Sequence, residues 1–264
     1  MKEASVKKTD ALGELVRTLA RLRAPGGCPW DRAQTHASMK GNLIEETYEV
    51  VEAIDSGDDA KLKEELGDLL LQVAFHCQMA SEEGRFDLSD VAAGICEKLH
   101  RRHPHVFGDA TAETPDAVLE QWHRLKRHER GQRKSVVDGV PHSLPALLRA
   151  FEVQKRVAKV GFDWEHAADV VKKVHEELGE IDEAAASGDA AALAEEVGDL
   201  LFSAVNLARA HGVEPEDALR QTVEKFIRRF QRIEARLAEG GRGPEECTLE
   251  ELDALWNEVK AEER

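Results

Sequence analysis

The sequence predicts an all-α protein made of two tandem helical bundles, and three observations support this prediction. Strand-forming aromatic residues are scarce, with one Tyr and eight Phe among 264 residues, whereas helix-favouring residues dominate. A 26-residue tract, 45–70, recurs without a gap at 176–201, and 16 of its positions are identical. Polar turns that contain glycine separate the apolar segments of each copy. A duplicated helical unit is therefore expected.

Turn signals divide each copy into helices. The Ser-Gly-Asp turn at 56–58 and its counterpart at 187–189 are predicted to end one helix and to cap the next. The segments 82–90 and 211–217 are predicted to do the same later in each copy. Helices joined by such short turns run antiparallel and pack as bundles.

The segment 127–145 is a predicted linker, because it mixes charged residues with glycine and two prolines. It separates an N-terminal domain, predicted at 1–139, from a C-terminal domain, predicted at 145–264. Each domain is long enough to bury a hydrophobic core of its own.

Composition excludes several classes of protein. The net charge of −16 argues against a nucleic-acid-binding protein, which needs a basic surface. The N-terminus has no apolar signal region and no run approaches 18 apolar residues, so no membrane partner is expected and the predicted location is cytoplasmic. The four cysteines form no C-x-x-C motif, which predicts reduced thiols rather than a zinc site.

Acidic residues lie in a helix that otherwise resembles a buried one. The segment after Leu62 is apolar around most of its circumference, which is typical of an interior helix. Glu65 and Asp68 nevertheless lie three residues apart within it, and Glu196 and Asp199 repeat the arrangement in the second copy. Burying ionised carboxylates without partners is costly, so a plain structural role does not explain them.

The preceding helix of each hairpin supplies two more carboxylates. Pairing the two helices predicts four converging acids in each copy. They are Glu46, Glu49, Glu65 and Asp68 in the first copy, and Glu177, Glu180, Glu196 and Asp199 in the second. Like charges at this spacing repel unless a cation lies between them. Oxygen ligands favour Mg²⁺ or Mn²⁺ over zinc, so each quartet is a candidate metal site.

Salt bridges are the alternative explanation for the quartets. Lys61 or Lys63 could pair with the acids of the first copy, but the second copy has Ala192 and Ala194 at those positions. The sequence therefore favours metal there. Gly67 and its counterpart Gly198 lie within the same helices, where glycine costs about 1 kcal/mol relative to alanine, and we expect a helix or ligand to approach them closely.

Several motifs together resemble the MazG family of nucleoside triphosphate pyrophosphohydrolases. The resemblance rests on the duplicated E-x-x-E and E-x-x-D pairs and covers the chain from about Leu12 to Lys260. Further motifs support it: GCPWD (27–31), EETYEV (45–50), RRHPHVFGD (101–109), KVGFDW (159–164) and VNLAR (205–209). The resemblance implies two MazG-like domains with the all-α NTP pyrophosphatase fold, dependence on Mg²⁺ and a homodimer. It also implies hydrolysis of NTPs or dNTPs to the monophosphate and pyrophosphate.

The resemblance also implies roles for individual residues. The implied catalytic metal ligands are Glu177, Glu180, Glu196 and Asp199, and the first quartet forms a second implied site. The implied nucleotide-binding residues are Lys225, Arg228, Arg229, Trp256 and Lys260, with first-copy counterparts Lys98, Arg102, Trp122 and Lys126.

Structural explanations stand beside these implied binding roles. Arg229 could instead pair with a surface glutamate such as Glu224, and Trp256 could pack as part of a core. Trp30 and Trp164, which precede the duplicated tracts, are interpreted as core anchors rather than stacking platforms.

The residues and the resemblance together predict an NTP pyrophosphohydrolase whose second copy carries the principal activity. The resemblance also implies a role in control of the nucleotide pool. The alternative is a non-catalytic helical module that binds nucleotide or metal and regulates a partner. Two intact quartets with basic and W-x-x-x-K partners favour the enzyme.

Overall fold

The structure, a computed structural model, describes residues 10–118, 121–122, 125 and 135–263. The chain divides into two compact units, residues 1–131 and 132–264. Every regular element within the described ranges is helical, which confirms the predicted fold class. None of the helices in these ranges is both long and apolar enough to cross a bilayer.

The first unit is built around a helical hairpin. Its helices are α1 (Ala11–Arg23), α2 (Pro29–Ala33), α3 (Lys40–Ser56), α4 (Asp59–Glu82), α5 (Leu88–Arg102) and α6 (Pro104–Phe107). Helices α3 and α4 form the hairpin, and α1 packs against α4. The core joins Leu19 of α1 to Ala74, Phe75 and Met79 of α4. Burial of these side chains fixes the hairpin against α1.

The second unit repeats the hairpin. Its helices are α7 (Ala146–Ala158), α8 (Ala167–Ser187), α9 (Ala190–Ala210), α10 (Pro215–Glu239) and α11 (Leu249–Glu262), with a 3₁₀ turn at Pro244–Glu246. Helices α8 and α9 form the hairpin, and α7 packs against α9 and α10. Helices α10 and α11 meet around Ile233, Leu237 and Val259. The hairpin that carries the second quartet therefore lies beside α7.

The hairpin turns have the conformations that the sequence predicts. Gly57 adopts φ +66° and Gly188 adopts φ +74°, a left-handed conformation that glycine accepts without strain. The side chain of Asp58 accepts hydrogen bonds from the first backbone N–H groups of α4, and Asp189 does the same for α9. The two turns thus set the same antiparallel pairing in both units.

The described part of the predicted linker belongs to the second unit. Arg156 of α7 donates hydrogen bonds to the carbonyl oxygens of Val137 at 3.3 Å, Asp138 at 2.6 Å and Gly139 at 3.1 Å. Val140 is buried. Residues 137–139 of the predicted linker are therefore hydrogen-bonded to α7.

Two sequence-based expectations about burial are wrong for the single chain. The first half of α4 is not interior, because Leu66 and Leu70 are 49% and 39% exposed, and burial begins only at Gln72. Trp30 and Trp164 are not core anchors, since they are 57% and 48% exposed. Both errors have one cause. The apolar character of a side chain predicts that it avoids water, but it does not tell whether residues of the same chain or of a partner bury it.

The helix glycines also differ from expectation. A Cβ atom added to Gly67 or Gly198 would meet no atom within 4 Å, so no described helix of the same unit approaches them. Both glycines lie on the exposed side of the carboxylate helices. The close approach that the sequence predicted is therefore not made within the described chain.

A stacked histidine pair is specific to the first unit. The rings of His36 and His76 lie 5.0 Å apart and their Nδ1 atoms 2.7 Å apart. Arg85 donates a hydrogen bond to Nε2 of His36, so this nitrogen carries no proton. The proton of His36 is therefore on Nδ1, which donates a hydrogen bond to Nδ1 of His76. The proton of His76 is then on Nε2, a buried atom with no hydrogen-bond partner among the described residues. This arrangement requires both rings to be neutral.

The first unit is therefore expected to lose stability on acidification. Burial, with a smaller contribution from the neighbouring His36, lowers the pKa of His76 below its ordinary value. The unfolded chain then binds more protons than the folded one, so stability falls as the pH drops below about 6.5. His76→Leu, which introduces the residue that the second copy has at the matching position 207, should reduce this pH dependence.

Thermal unfolding between about pH 7.5 and pH 5.5 measures the effect. His211→Gln, at an exposed histidine of the second unit, serves as the matched control and should leave the wild-type profile unchanged. Equal pH profiles for wild type and His76→Leu would contradict the prediction.

Candidate active site

In the first unit, the hairpin brings three carboxylates together. Glu46 and Glu49 lie on successive turns of α3, and Glu65 faces them from α4. One oxygen of each lies within 4.8 Å of the oxygens of the other two. Partial burial raises the pKa of Glu65, and the charge of Glu49 adds to the shift. The three carboxylates of this cluster therefore repel one another.

In the second unit, the equivalent hairpin forms the same kind of cluster. Glu177 of α8 meets Glu196 and Asp199 of α9, again with oxygens within 4.8 Å of one another. Glu177 is only 3% exposed, whereas Asp199 is open to solvent. The cluster therefore extends from the protein interior to the surface.

The fourth member of each quartet lies just outside the cluster. Burial is the main cause of the raised pKa of Glu46, and the charge of Asp68 adds to it. Partial burial likewise raises the pKa of Glu180, and a hydrogen bond with Glu177 adds to the shift. All four predicted positions of each copy therefore interact, although the close trio omits Asp68 in one copy and Glu180 in the other.

In each unit, a polar side chain at the same repeat position donates a hydrogen bond to one glutamate of the cluster. Gln72 of α4 donates to Glu46 at 3.3 Å, and Ser203 of α9 donates to Glu177 at 3.4 Å. Residues 72 and 203 are separated by the same 131 positions as the two quartets. A polar side chain at this position thus holds a half-buried carboxylate in the first unit and a buried one in the second.

A lysine corrects one step of the sequence analysis. Lys173 of α8 lies 2.9 Å from Glu177 and 4.0 Å from Glu180, so the second quartet does have a compensating cation. Hydrogen bonds with Glu176 and Glu177 raise the pKa of Lys173 and keep it charged. The corresponding first-copy residue is Asn42. Lys61, the cation proposed for the first copy, pairs at 3.8 Å with Glu52, outside the quartet.

A cavity of about 680 Å³ opens beside the second cluster. Lys173, Glu177 and Asp199 form its charged end. This volume lies within the range of protein sites for small organic ligands. The second carboxylate cluster is thus coupled to a space large enough for a substrate.

The rest of the cavity lining is mixed and includes aromatic and amide side chains, two valines and the ion pair of Asp163 and Arg209. Its aromatic lining is Phe162, Trp164 and Phe202, and its amide lining includes Gln154 and Asn206. These residues come from α7, from the KVGFDW segment and from α9. The segment 159–164, noted in the sequence without a role, therefore supplies part of a ligand cavity.

The predicted nucleotide-binding set lies elsewhere in the second unit. Arg229 forms an ion pair with Glu263 at 2.7 Å and lies over the ring of Trp256 at 5.5 Å. Trp256 packs against the buried cluster of α10 and α11. Lys225 and Lys260 are exposed, as is Arg228, and the cavity lining contains none of the five residues.

The first-copy counterparts repeat part of this arrangement. The guanidinium of Arg102 lies 5.5 Å from the ring centre of Trp122, matching the distance between Arg229 and Trp256. Lys98 is half-buried. Lys126 lies outside the described residues.

The donor set of each quartet fits a hard divalent cation. The ligands are carboxylate oxygens alone, which suit magnesium, manganese or calcium better than zinc or copper. Burial is the main cause of the raised pKa values of Glu46, Glu65 and Glu180, and the neighbouring carboxylates add to each shift by repulsion. A bound cation would remove this repulsion.

Together, the fold and the site define an all-α protein with two carboxylate hairpins, each suited to metal-assisted chemistry on a charged substrate. Residues 34–107 and 166–233 match the MazG nucleotide pyrophosphohydrolase domain. The chain belongs to the MazG family and is an enzyme that acts on phosphoric anhydride bonds. The non-catalytic alternative is thereby set aside.

Relatives from several bacteria share most of the chain. It is 48% identical over 259 residues to a nucleoside triphosphate pyrophosphohydrolase of Escherichia coli K12, covering 96% of this chain and 98% of that protein. It is 47% identical over 261 residues to the nucleoside triphosphate pyrophosphohydrolase/pyrophosphatase MazG of Thermotoga maritima, covering 98% of both. It is also 47% identical over 251 residues to the uncharacterized protein YabN of Bacillus subtilis, covering 93% of this chain and 51% of that protein.

Proposed function

We propose that this protein hydrolyses nucleoside triphosphates or deoxynucleoside triphosphates to monophosphate and pyrophosphate, mainly in its second unit. One observation carries the proposal: the cluster of Glu177, Glu196 and Asp199 borders the 680 Å³ cavity, with Lys173 at the same end. The activity named for the Escherichia coli and Thermotoga maritima relatives supports the reaction. Control of the nucleotide pool in the cytoplasm is the proposed role.

The proposed cofactor is Mg²⁺, with Mn²⁺ as a substitute. Glu177, Glu180, Glu196 and Asp199 would hold it in the second unit, and the quartet of residues 46, 49, 65 and 68 would form the second site. When bound, the cation supplies a Lewis acid that offsets the negative charge of the polyphosphate. The oxygen-only donor sets support this choice.

Lys173 is proposed to contact the substrate phosphates. In the free protein its ammonium group offsets the charge of Glu177 and approaches Glu180. Lys173 also lines the cavity, so its ammonium group could instead pair with a phosphate oxygen of a bound substrate. The lysine would then stabilise charge on the departing pyrophosphate.

The basic residues of α10 and α11 remain part of the proposal as further nucleotide contacts. Lys225, Arg228 and Lys260 are exposed and thus accessible to a polyanion, which supports such a role in a strongly acidic protein. Arg229 would have to break its ion pair with Glu263 to form one with a phosphate group. Because Arg229 already lies over Trp256, the pair offers a cation and an aromatic face together.

Product analysis of the full-length protein tests the proposed reaction. Incubation with each of the common NTPs and dNTPs should yield monophosphate and pyrophosphate in equal amounts, and only with a divalent cation. Release of single phosphates, or equal rates after removal of all divalent cations, would contradict the proposal.

A homodimer is also proposed, because both carboxylate helices expose apolar residues at equivalent positions. Leu66 and Leu70 of α4 correspond to Val197 and Leu201 of α9, and all four are more than a third exposed. Apolar patches of this kind mark protein interfaces. A second copy that covers them would also approach the exposed glycines of the same helices.

Leu201→Asp is therefore expected to convert a dimer into a monomer. Leu201 is 54% exposed in the single chain, and an aspartate buried at an interface would be strongly unfavourable. Light scattering should give twice the chain mass of 29.3 kDa for wild type and the single mass for the variant. Leu249→Asp, at an 82% exposed leucine of α11, is the matched control. A fully active monomeric wild type would contradict the proposal.

A further inference from the structure

Gln154 presents a buried hydrogen-bond acceptor at the cavity of the second unit. Its side chain is 4% exposed and its Nε2 group donates to the backbone carbonyl of Phe202 at 2.9 Å. A carbonyl oxygen can only accept a hydrogen bond, so the atom of Gln154 that faces it must be the nitrogen of the amide. The other end, Oε1, is buried and has no hydrogen-bond partner among the residues that the structure describes.

An unpaired buried acceptor is unfavourable unless a ligand satisfies it. Gln154 lines the cavity, so its unpaired oxygen belongs to a side chain beside the space that a ligand would fill. Because Oε1 can only accept, the ligand must bring an N–H or O–H group to it. At the matching position 23 the first unit has Arg23, whose guanidinium donates to Glu82 of α4 at 2.8 Å.

Asn206 complements Gln154 from α9. Its Oδ1 accepts from Arg209 at 2.7 Å, and Arg209 is itself held by Asp163 at 2.9 Å. The side-chain oxygen of Asn206 is thus occupied, which leaves its NH₂ group to donate to a ligand. Gln154 and Asn206 therefore contribute an acceptor and a donor to the cavity, each fixed by a hydrogen bond to the protein.

The aromatic residues of the lining indicate which class of ligand the cavity can bind. Phe162, Trp164 and Phe202 line the same cavity and are substantially exposed, with Phe162 at 79%. Such rings are suited to the flat face of a heterocycle. A ring that carries both an N–H donor and an acceptor on one edge satisfies the amides and the aromatic groups together.

We propose that this cavity is the nucleobase pocket and that Oε1 of Gln154 accepts a hydrogen bond from an N–H group on the Watson–Crick edge of the base. The inference rests on the proposed function, which places a nucleotide phosphate at Lys173 and the carboxylates. Since each common base has an N–H group on this edge, Gln154 discriminates against bases that lack it rather than among the four. Gln154 is thus a specificity-determining residue.

The test compares pairs of substrates that differ at this N–H group, using full-length protein with Mg²⁺. ATP is paired with purine riboside triphosphate, which lacks the amino group, and UTP with 3-methyluridine triphosphate. Wild type should favour the parent nucleotide of at least one pair by about tenfold in kcat/KM, as expected for one hydrogen bond. In Gln154→Met, which keeps the side-chain length without the acceptor, this ratio should approach one through a higher KM for the parent nucleotide.

Gln221→Met, at an exposed glutamine of α10 outside the cavity, is the matched control and should keep the wild-type ratio. If Gln154→Met melts at a much lower temperature, Asn206→Asp is the second variant. It retains an oxygen for Arg209 but loses the NH₂ donor, and should raise the KM of the parent nucleotide about tenfold. Wild-type ratios in Gln154→Met for both pairs, or an unchanged KM in Asn206→Asp, would overturn the proposal.

Calorimetry separates this inference from the proposed reaction. Binding of AMP and of purine riboside monophosphate, together with the UMP pair, requires no turnover. About tenfold tighter binding of a parent nucleotide by wild type, lost in Gln154→Met, supports the pocket even if no NTP is hydrolysed. Hydrolysis of NTPs without any such difference would overturn the pocket and leave the proposed function in place.

Discussion

Glu196→Gln is expected to reduce the rate of NTP hydrolysis by at least about 100-fold and to weaken thermal stabilisation by Mg²⁺, with the first-unit site accounting for what remains. Glu196 belongs to the close carboxylate cluster of the second unit and faces Glu177 across the hairpin. Glutamine keeps the size of the side chain but removes one negative charge and weakens the affinity for a hard cation. The melting temperature without cation should not fall, because the substitution relieves repulsion between acids.

Two matched variants make the result interpretable. Glu195→Gln changes the neighbouring exposed carboxylate, which lies outside the cluster, and should behave as wild type. Glu65→Gln changes the counterpart of Glu196 in the first unit and should have the smaller effect. Measurements are initial rates and melting temperatures over a Mg²⁺ titration. A greater loss in Glu65→Gln than in Glu196→Gln would assign the principal activity to the first unit.

The hairpins and their acids could be predicted because local signals specify them. The turns at 56–58 and 187–189 combine a helix-ending glycine with a capping aspartate, and both adopt the expected conformation. Once the turn fixes the pairing of two helices, the spacing of acids along each helix determines which of them meet. The duplication then supplied an independent second instance of the same pattern.

The cavity could not be predicted, because it depends on how a third helix packs against the hairpin. Gln154 of α7 contacts Phe202 of α9 across 48 positions of sequence, and no periodic pattern encodes that contact. The sequence predicts Trp164 to be a core anchor, yet this side chain is half-exposed and lines the cavity. Lys173 is the exception: its spacing of four residues from Glu177 on one helix was a readable signal.

Lys173→Met is expected to lower kcat/KM for NTPs by roughly 100-fold at saturating Mg²⁺, the scale of losing one cation that acts on a transferring phosphate. The variant should also melt at a lower temperature than wild type without cation, because buried Glu177 loses its ion pair. Added Mg²⁺ should recover the stability, since the quartet then has its own counter-ion, but should not recover the rate. This split between stability and activity distinguishes a phosphate contact from a structural counter-ion.

The adjacent residue provides the control for this variant. Lys172 is 78% exposed at its side chain and pairs with Asp169, away from the carboxylate cluster, so Lys172→Met should match wild type in both measurements. The decisive quantity is the activity of Lys173→Met once Mg²⁺ has restored its melting temperature. If the rate returned together with the stability, Lys173 would only balance the charge of Glu177, and its proposed contact with phosphate would have to be abandoned. If the rate stays low although Mg²⁺ has restored the melting temperature, hydrolysis needs the ammonium group of Lys173 itself. The metal would by then already balance the charge of the quartet in place of the lysine.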